Sequence, residues 1–229
     1  MTATIFPTPA PVLLPIQGAA ETFPVRRIFC VGRNYQAHAA EMGSLVDKAS
    51  QRPFYFMKDA SAVVLSGESI DYPPQTADFH YEMELVVAIG KNGFEVNADE
   101  AATMIYGYAC GLDMTRRDVQ AQAKERRHPW DLGKNFEQSA VLSPITPHAA
   151  PLTGGLIELR RNGETVQHAD LSHMIWNVCE LIADLSTYYH LQPGDLLFTG
   201  TPEGVGAVAR GDLLQGSIAG VGEIEVRVC

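Results

Sequence analysis

Glu82 and Glu84 stand two residues apart in the run His80-Tyr81-Glu82-Met83-Glu84-Leu85-Val86-Val87-Ala88-Ile89-Gly90. From Glu82 to Ile89 the composition is that of a β-strand, and side chains two apart on a strand share a face. The two carboxylates therefore stand side by side, with His80 one step before them. Met83 and Leu85 turn the other way, into a core. Adjacent carboxylates repel and are costly to bury unpaired. A divalent cation is the simplest way to make the arrangement favourable. The competing reading is an edge strand with a solvated acidic face, and the apolar run Leu85–Ile89, which reads as buried, weighs against it.

Other residues able to do chemistry are scattered along the chain. His38 and Glu41 are three apart in the polar segment 36–42; on a helix they share a face and can hydrogen-bond. Asp113 ends a strand and precedes a helix, so taken alone it is as well read as a cap or turn former. Arg117 and Lys134, taken singly, read as solvated surface charges. The stretch Gly200-Thr201-Pro202-Glu203-Gly204-Val205-Gly206 follows a strand but lacks the G-K-[ST] ending of a phosphate loop and opens no helix. It reads as a tight backbone turn presenting Thr201, whose hydroxyl or amide could hold a carboxylate.

The elements that must position these residues are mostly strands. Short strands are expected at 24–31, 54–57, 82–89, 106–112, 157–161, 165–168, 196–199 and 223–228. Asn92-Gly93 and Asn162-Gly163 carry the signal of tight hairpins. Asn97 with Glu100 resembles a capping box opening a short helix to about Met104. Thr115 is expected to cap a helix running to about Arg127, stopped by Pro129. The clearest helical stripe runs from Leu171 to His190, with Ile175, Val178, Cys179, Ile182, Leu185 and Tyr189 on its apolar side. The aperiodic stretch from Gly43 to Pro53 has the length of a mobile lid. Local hairpins with few helices exclude regular βαβ alternation and favour an α+β fold of mostly antiparallel sheets.

Bulk properties narrow the function. The chain has 229 residues, 46% of them hydrophobic and 19% charged, with a formal net charge of -10. That suits one large globular domain and excludes nucleic acid as a natural partner. An anionic substrate would need basic residues gathered locally. Cys30, Cys110, Cys179 and Cys229 form no C-x-x-C and no zinc spacing, so reduced thiols in a cytoplasmic protein are expected. The proline-rich start has no basic residue and no export-signal core, and no apolar run reaches the roughly 18 residues of a membrane span. Residues 1–23 are expected to form an extended surface arm, and residues 24–229 a single catalytic domain.

Five segments, in order, resemble the fumarylacetoacetate hydrolase family. Arg33-Asn34-Tyr35 with His38 and Glu41 resembles its lid motif, and His80 to Glu84 its metal-binding strand. Gly111-Leu112-Asp113-Met114-Thr115-Arg116-Arg117-Asp118 looks like the third-ligand segment. Pro129-Trp130-Asp131-Leu132-Gly133-Lys134-Asn135-Phe136 looks like the lysine segment. Leu197 to Gly206 resembles the turn that holds a substrate carboxylate. The resemblance runs from about Pro24 to the C-terminus. Within the family the short acylpyruvate hydrolases fit best, and Phe23 to Tyr35 looks most like the bacterial fumarylpyruvate-cleaving branch of the gentisate route. The chain departs from the pattern at Asp59, where proline is expected after Lys58, and in its own loop from Ser44 to Arg52.

The resemblance implies a mixed β-roll with a few peripheral helices, assembled as a homodimer. It implies a divalent ion on Glu82, Glu84 and Asp113, whose hard oxygen donors suit Mg²⁺ or Mn²⁺. It implies metal-dependent cleavage of an acylpyruvate, a small anionic keto acid, between C3 and C4 through a pyruvate enolate stabilised by the metal. His38, oriented by Glu41, would take a proton from the attacking water. Lys134 would offset the developing charge, and Arg33, Arg117, Gln120 and Thr201 would hold the substrate. Oxaloacetate decarboxylation and keto–enol isomerisation are alternatives on the same scaffold. A non-catalytic dicarboxylate-binding protein is the alternative of a different class.

Overall fold

The run Met83–Ile89 forms the centre of the molecule, and its seven residues are all buried. Its side chains alternate between two cores, as the period of two requires. Met83, Leu85, Val87 and Ile89 enter the larger core, and Val86 and Ala88 the smaller. The computed structural model describes residues 4–43, 45–148 and 150–229. Residues 1–3 of the expected arm and Ser44 of the expected lid lie outside them.

An eight-stranded mixed sheet surrounds this strand. Along it lie Phe54–Lys58, Arg27–Gly32, Asp195–Phe198, Met83–Ile89, Ile105–Asp113, Ala140–Leu142 and Val63–Leu65, with Thr146–Pro147 also paired to Ile105–Asp113. A five-stranded sheet, Glu164–Asp170, Leu156–Arg161, Leu213–Ile218, Gly222–Val228 and Ser69–Ile70, curls over one face. Ile157, Leu159, Leu214, Ile224 and Val226 from it close the larger core. Each such fully buried aliphatic side chain contributes about 1.5–3 kcal/mol. A three-stranded sheet of Thr115–Arg116, Phe79–Tyr81 and Gly206–Ala207 sits at the end where the acidic residues lie.

The smaller core is closed from the N-terminal side. Leu13–Pro15 pairs antiparallel with Thr22–Pro24, and Leu14, Ile16 and Phe23 are buried there. Of the surface arm expected through residue 23, Ile5 and Phe6 are exposed, whereas Leu14, Ile16 and Phe23 fold inward from an otherwise exposed stretch. No helix among the described residues is long and apolar enough to cross a membrane.

Among the described residues five α-helices punctuate the strands: α1 (Gln36–Glu41), α2 (Ala98–Thr103), α3 (Arg117–Arg126), α4 (Asp131–Lys134) and α5 (Val178–Ser186). The Asn97–Glu100 capping box opens α2 as its spacing predicts. Three expectations need correction. Asn92-Gly93 makes no tight hairpin: Gly93 bridges Leu191, and the chain passes through α2 before Ile105 returns beside Ile89. Thr115 does not cap α3, which starts after Arg116 with no side-chain cap; its hydroxyl donates to the Asp113 carbonyl instead. The stripe from Leu171 to His190 is not one helix. Leu171–His173 is a 3₁₀ turn, and α5 begins only after Asn177, which forms a capping box with Glu180. Between them, Asn34 holds Trp176 in non-helical backbone by accepting its N–H and donating to its carbonyl.

Candidate active site

The acidic residues meet where the central strand changes sheets. Phe79–Tyr81 belongs to the three-stranded sheet and Met83–Ile89 to the eight-stranded one, so Glu82 lies at the break. The Asp113 N–H donates to the Glu82 carbonyl, and Glu84 pairs with Gly111. This register sets Asp113 beside the glutamates, although it is some thirty residues away along the chain. One oxygen from each of Glu82, Glu84 and Asp113 lies within 4.8 Å of the others, and all three residues are buried.

Buried carboxylates so close need cations, and the chain supplies three. Lys134 spends its three donors on Glu82 Oε2 at 2.7 Å, Asp113 Oδ2 at 2.6 Å and Thr115 Oγ1 at 2.7 Å. Arg117 pairs with Glu82 Oε1 and donates to Gln120 Oε1. Lys58, fully buried, holds the Met114 and Lys134 carbonyls and lies 2.8 Å from Asp113 Oδ1. That last approach is off the direction a hydrogen bond requires, so Asp113 Oδ1 has a charge beside it but no hydrogen-bond donor.

Glu84 is the exception. Among the described residues it pairs with no ammonium or guanidinium; the Gly200 N–H donates to its Oε2 at 2.6 Å. Gly200 has φ +96°, and a Cβ there would stand 2.7 Å from Asn34 Cβ, so this turn requires glycine. Burial, then the charges of Asp113 and Glu82, push the Glu84 carboxyl well above the usual range. Burial also acts to raise Glu82, but Lys134, Arg117 and His38 outweigh it and hold its carboxyl below the usual range. Burial opposes the charge on Lys134, yet Asp113 and Glu82 raise its pKa. The cluster thus lacks positive charge at Glu84 and a donor at Asp113 Oδ1, while offering three hard oxygens. Those features fit a divalent cation such as Mg²⁺ or Mn²⁺.

His38 reaches the same cavity from α1. Its Nδ1 lies 3.3 Å from Glu41 Oε2. Burial lowers its pKa below the ordinary histidine value, against the opposing pull of Glu82 and Glu41. The ring is therefore neutral near pH 7, and a proton on Nδ1 shared with Glu41 leaves Nε2 as the basic nitrogen. Glu41 also accepts the Gly204 N–H at 3.3 Å, which ties α1 to the Thr201 turn.

The cavity is lined by His38, Glu82, Glu84 and Lys134, by Arg33, Arg117, Gln120 and Thr201, and by Val31, Gly32, Met42, Phe56, Lys124 and Trp130. Of the residues given a catalytic, substrate-holding or metal-holding role from the sequence, Glu41 and Asp113 are absent from its wall; Glu41 stands behind His38, and Asp113 behind Lys134. Thr201 is buried and accepts from Gln167 Nε2, and Gln167 also accepts the Met83 N–H. Arg33 has a left-handed backbone, φ 60°, with its guanidinium over the Phe54 ring. His80, expected beside the glutamates, turns to Asp78 and accepts from Arg117 Nε.

Sequence reasoning missed Lys58, Gln167 and Lys124. Lys58 had a usable signal: Phe54, Phe56 and Lys58 alternate on one face of their strand, and Phe56 lines the cavity. Lys124 follows Arg117 and Gln120 at helical spacing. Gln167 has no comparable signal, because its role depends on the curl of the second sheet.

Comparisons with known proteins agree with this arrangement. Residues 27–229 match the family described as fumarylacetoacetate (FAA) hydrolase C-terminal. The chain is 54% identical over 188 residues to a fumarylpyruvate hydrolase of Ralstonia, covering 82% of this chain and 98% of that protein. It is 37% identical over 202 residues to an oxaloacetate tautomerase of Escherichia coli K12, covering 86% and 90%. Its fold superposes on the crystal structure of fumarylpyruvate hydrolase from Pseudomonas aeruginosa in complex with Mn²⁺ and pyruvate. That match has a TM-score of 0.94 and 48% identity, and covers 99% of both chains. With its curled mixed sheets, few helices and buried acidic trio, the chain belongs to the fumarylacetoacetate hydrolase family.

Proposed function

We propose that this protein is a metal-dependent hydrolase that cleaves the C3–C4 bond of an acylpyruvate, with fumarylpyruvate giving fumarate and pyruvate. The observation that carries the reading is a buried cluster of three carboxylates, two of them lining a cavity that a glutamate-held neutral histidine also lines. The likeness to the Ralstonia enzyme, at 54% identity, supports the same substrate.

Glu82, Glu84 and Asp113 would hold a divalent ion, which when bound supplies Lewis-acid stabilisation of negative charge developing on a pyruvate oxygen. The chain's own groups do the rest. His38 Nε2 takes a proton from water, and the water oxygen adds to the C4 carbonyl. Glu41 keeps the imidazole in the tautomer this requires and stabilises it once protonated. When C3–C4 breaks, the electron pair passes to the pyruvate half, and Lys134 lies beside the carboxylates to offset that charge. His38 then returns its proton to C3. Arg117 and Thr201 hold substrate oxygens at the inner end, while Gln120 and Arg33 hold the acyl half. Met42 and Phe56 keep bulk water from the acyl chain.

Magnesium is taken as the working ion, a homodimer as the assembly, and the cytoplasm as the compartment. Free thiols at Cys30, Cys110, Cys179 and Cys229 suit that compartment. The setting is the breakdown of aromatic compounds, and residues 24–229 act as one catalytic unit.

A second reading follows from the likeness to the oxaloacetate tautomerase. Keto–enol exchange needs a proton moved at C3 and no attacking water, and the same histidine could move it. A protein that only binds dicarboxylates would have no use for the His38–Glu41 pair. Assay of fumarylpyruvate, maleylpyruvate, acetylpyruvate and oxaloacetate with Mg²⁺ decides among these. Turnover of fumarylpyruvate is expected to dominate; its absence beside rapid oxaloacetate tautomerisation would overturn the reading.

A further inference from the structure

The wall of the cavity nearest solvent carries a second, separate group of positive charges. Lys124, on α3, lines the cavity together with Arg33 and Trp130, and all three are half-buried. By contrast Glu82, Glu84 and Lys134 at the other end are almost fully buried. Among the described residues Lys124 has no carboxylate within ion-pairing distance, and neither has Arg33. Each cation is instead braced on an aromatic ring. The Lys124 ammonium lies 5.3 Å over Trp130, and the Arg33 guanidinium 5.3 Å over Phe54. Phe54 and Trp130 in turn meet edge to face at 5.1 Å. The two cations are therefore fixed on one aromatic support.

Half-burying an ammonium without an anion is unfavourable. Burial, together with the charges of Arg117 and Arg33, lowers the Lys124 pKa, with only Glu82 opposing among the stronger influences. A ligand that brings a carboxylate to this wall would remove the imbalance. The spacing suits a long substrate. Arg117, Gln120 and Lys124 follow one another along one side of α3, and seven residues of helix rise about 10.5 Å. An extended seven-carbon diacid reaches across that span. Met42, Phe56 and Trp130 supply apolar surface for its middle.

We infer that Lys124, with Arg33 beside it, forms a subsite for the distal carboxylate of a 2-oxo diacid whose other end lies at Glu82, Glu84 and Asp113. This rests on the proposed reaction only for which end of the ligand is the keto acid. It makes Lys124 a specificity-determining residue: acyl groups that end in a carboxylate are selected over those ending in methyl.

Binding of two uncleavable ligands to the Mn²⁺-loaded protein tests this. 2-Oxoheptanedioate has the carbon count of fumarylpyruvate and both carboxylates; 2-oxoheptanoate lacks the distal one. Neither has the C4 carbonyl that cleavage requires. Titration calorimetry is expected to show the wild type preferring the diacid by roughly 10–100-fold, the range of a charge-assisted hydrogen bond. Lys124→Met should bring the ratio of the two dissociation constants to within a few fold of one, and Lys124→Arg should restore the preference. Lys124→Gln serves if the methionine variant does not fold. Equal binding of both ligands by the wild type would overturn the subsite, as would a preference that survives in Lys124→Met. Parallel assay of fumarylpyruvate separates the two ideas. Preference for the diacid without hydrolysis keeps the subsite and removes the reaction; hydrolysis without preference does the reverse.

Discussion

Glu41 Oε2 lies 3.3 Å from His38 Nδ1 and also 3.3 Å from the Gly204 amide nitrogen, whose N–H it accepts. One half-exposed side chain thus orients the proposed base and fastens α1 to the turn that carries Thr201. A latch of this kind opens readily, because each of its contacts is long and solvent can replace it.

The first prediction concerns that latch. Beyond α1, the loop to Pro53 is anchored at Val46, which is buried and bonded by Gln36, and elsewhere by the ion pairs of Lys48 to Glu180 and Arg52 to Asp184. Such pairs are individually weak. Amide exchange at residues 34–43 and 45–52 should therefore be fast in the free protein and slow with Mg²⁺ and oxalate, a mimic of the pyruvate enolate. Equal protection in both states would remove the lid from the mechanism.

Gly200 gives a prediction about stability. Its positive φ and the 2.7 Å approach to Asn34 leave no room for a methyl group. Gly200→Ala should cost roughly 1–3 kcal/mol of folding stability from backbone strain alone. It should also displace the amide that donates to Glu84. Denaturant unfolding measures the first effect and Mn²⁺ titration the second. An unchanged midpoint together with unchanged Mn²⁺ affinity would contradict the turn's geometry.

Lys134 occupies the same carboxylates that a divalent ion would use. Replacing it with methionine leaves Glu82 and Asp113 short of a charge partner. Removing one side of a buried ion pair costs about 3–5 kcal/mol, so the metal-free variant should melt well below the metal-free wild type. Bound Mn²⁺ would restore part of that loss. The rise in melting temperature on adding Mn²⁺ should therefore be larger for Lys134→Met than for the wild type. Equal rises would mean that lysine and metal do not share the site.

Much of this site was legible in the sequence because strand periodicity is local. Two residues of separation placed Glu82 beside Glu84, whereas Asp113 read equally as a cap or turn former and was joined to them only by the resemblance to the family. Lys58 and Lys124 were harder, since the spacing that puts each on the cavity-facing side of its strand or helix does not by itself mark a basic residue as buried. The helix from Leu171 to His190 failed for a related reason. Its apolar stripe is real, with Leu181, Ile182 and Leu185 in the core, but Asn34, more than a hundred residues away, claims the backbone of Trp176. The Asn177–Glu180 capping box, which marks the true start, has the same spacing as the one read correctly at Asn97. The smaller core shows the same limit: a proline-rich start reads as exposed, yet Leu14 is wholly buried.

The last prediction separates water activation from enolate stabilisation. Replacing His38 with alanine should lower acylpyruvate hydrolysis by roughly 10²–10⁴, the usual contribution of a positioned general base. Metal-assisted loss of CO₂ from oxaloacetate needs no attacking water, so it should fall far less in the same variant. Asp113→Ala should suppress both reactions together, because both place negative charge at the carboxylate-held ion. The pH profile of the wild type adds an independent check. Burial lowers the His38 pKa, so the neutral, basic form persists below the ordinary histidine value of about 6.5. Hydrolysis should hold as pH falls through that value and decline only at lower pH, as the imidazole takes up a proton. A bound divalent cation acts in the same direction. An acidic limb centred above the ordinary value would contradict a buried neutral base. Unchanged hydrolysis of every acylpyruvate in His38→Ala would remove His38 as the base, and with it the orienting role of Glu41.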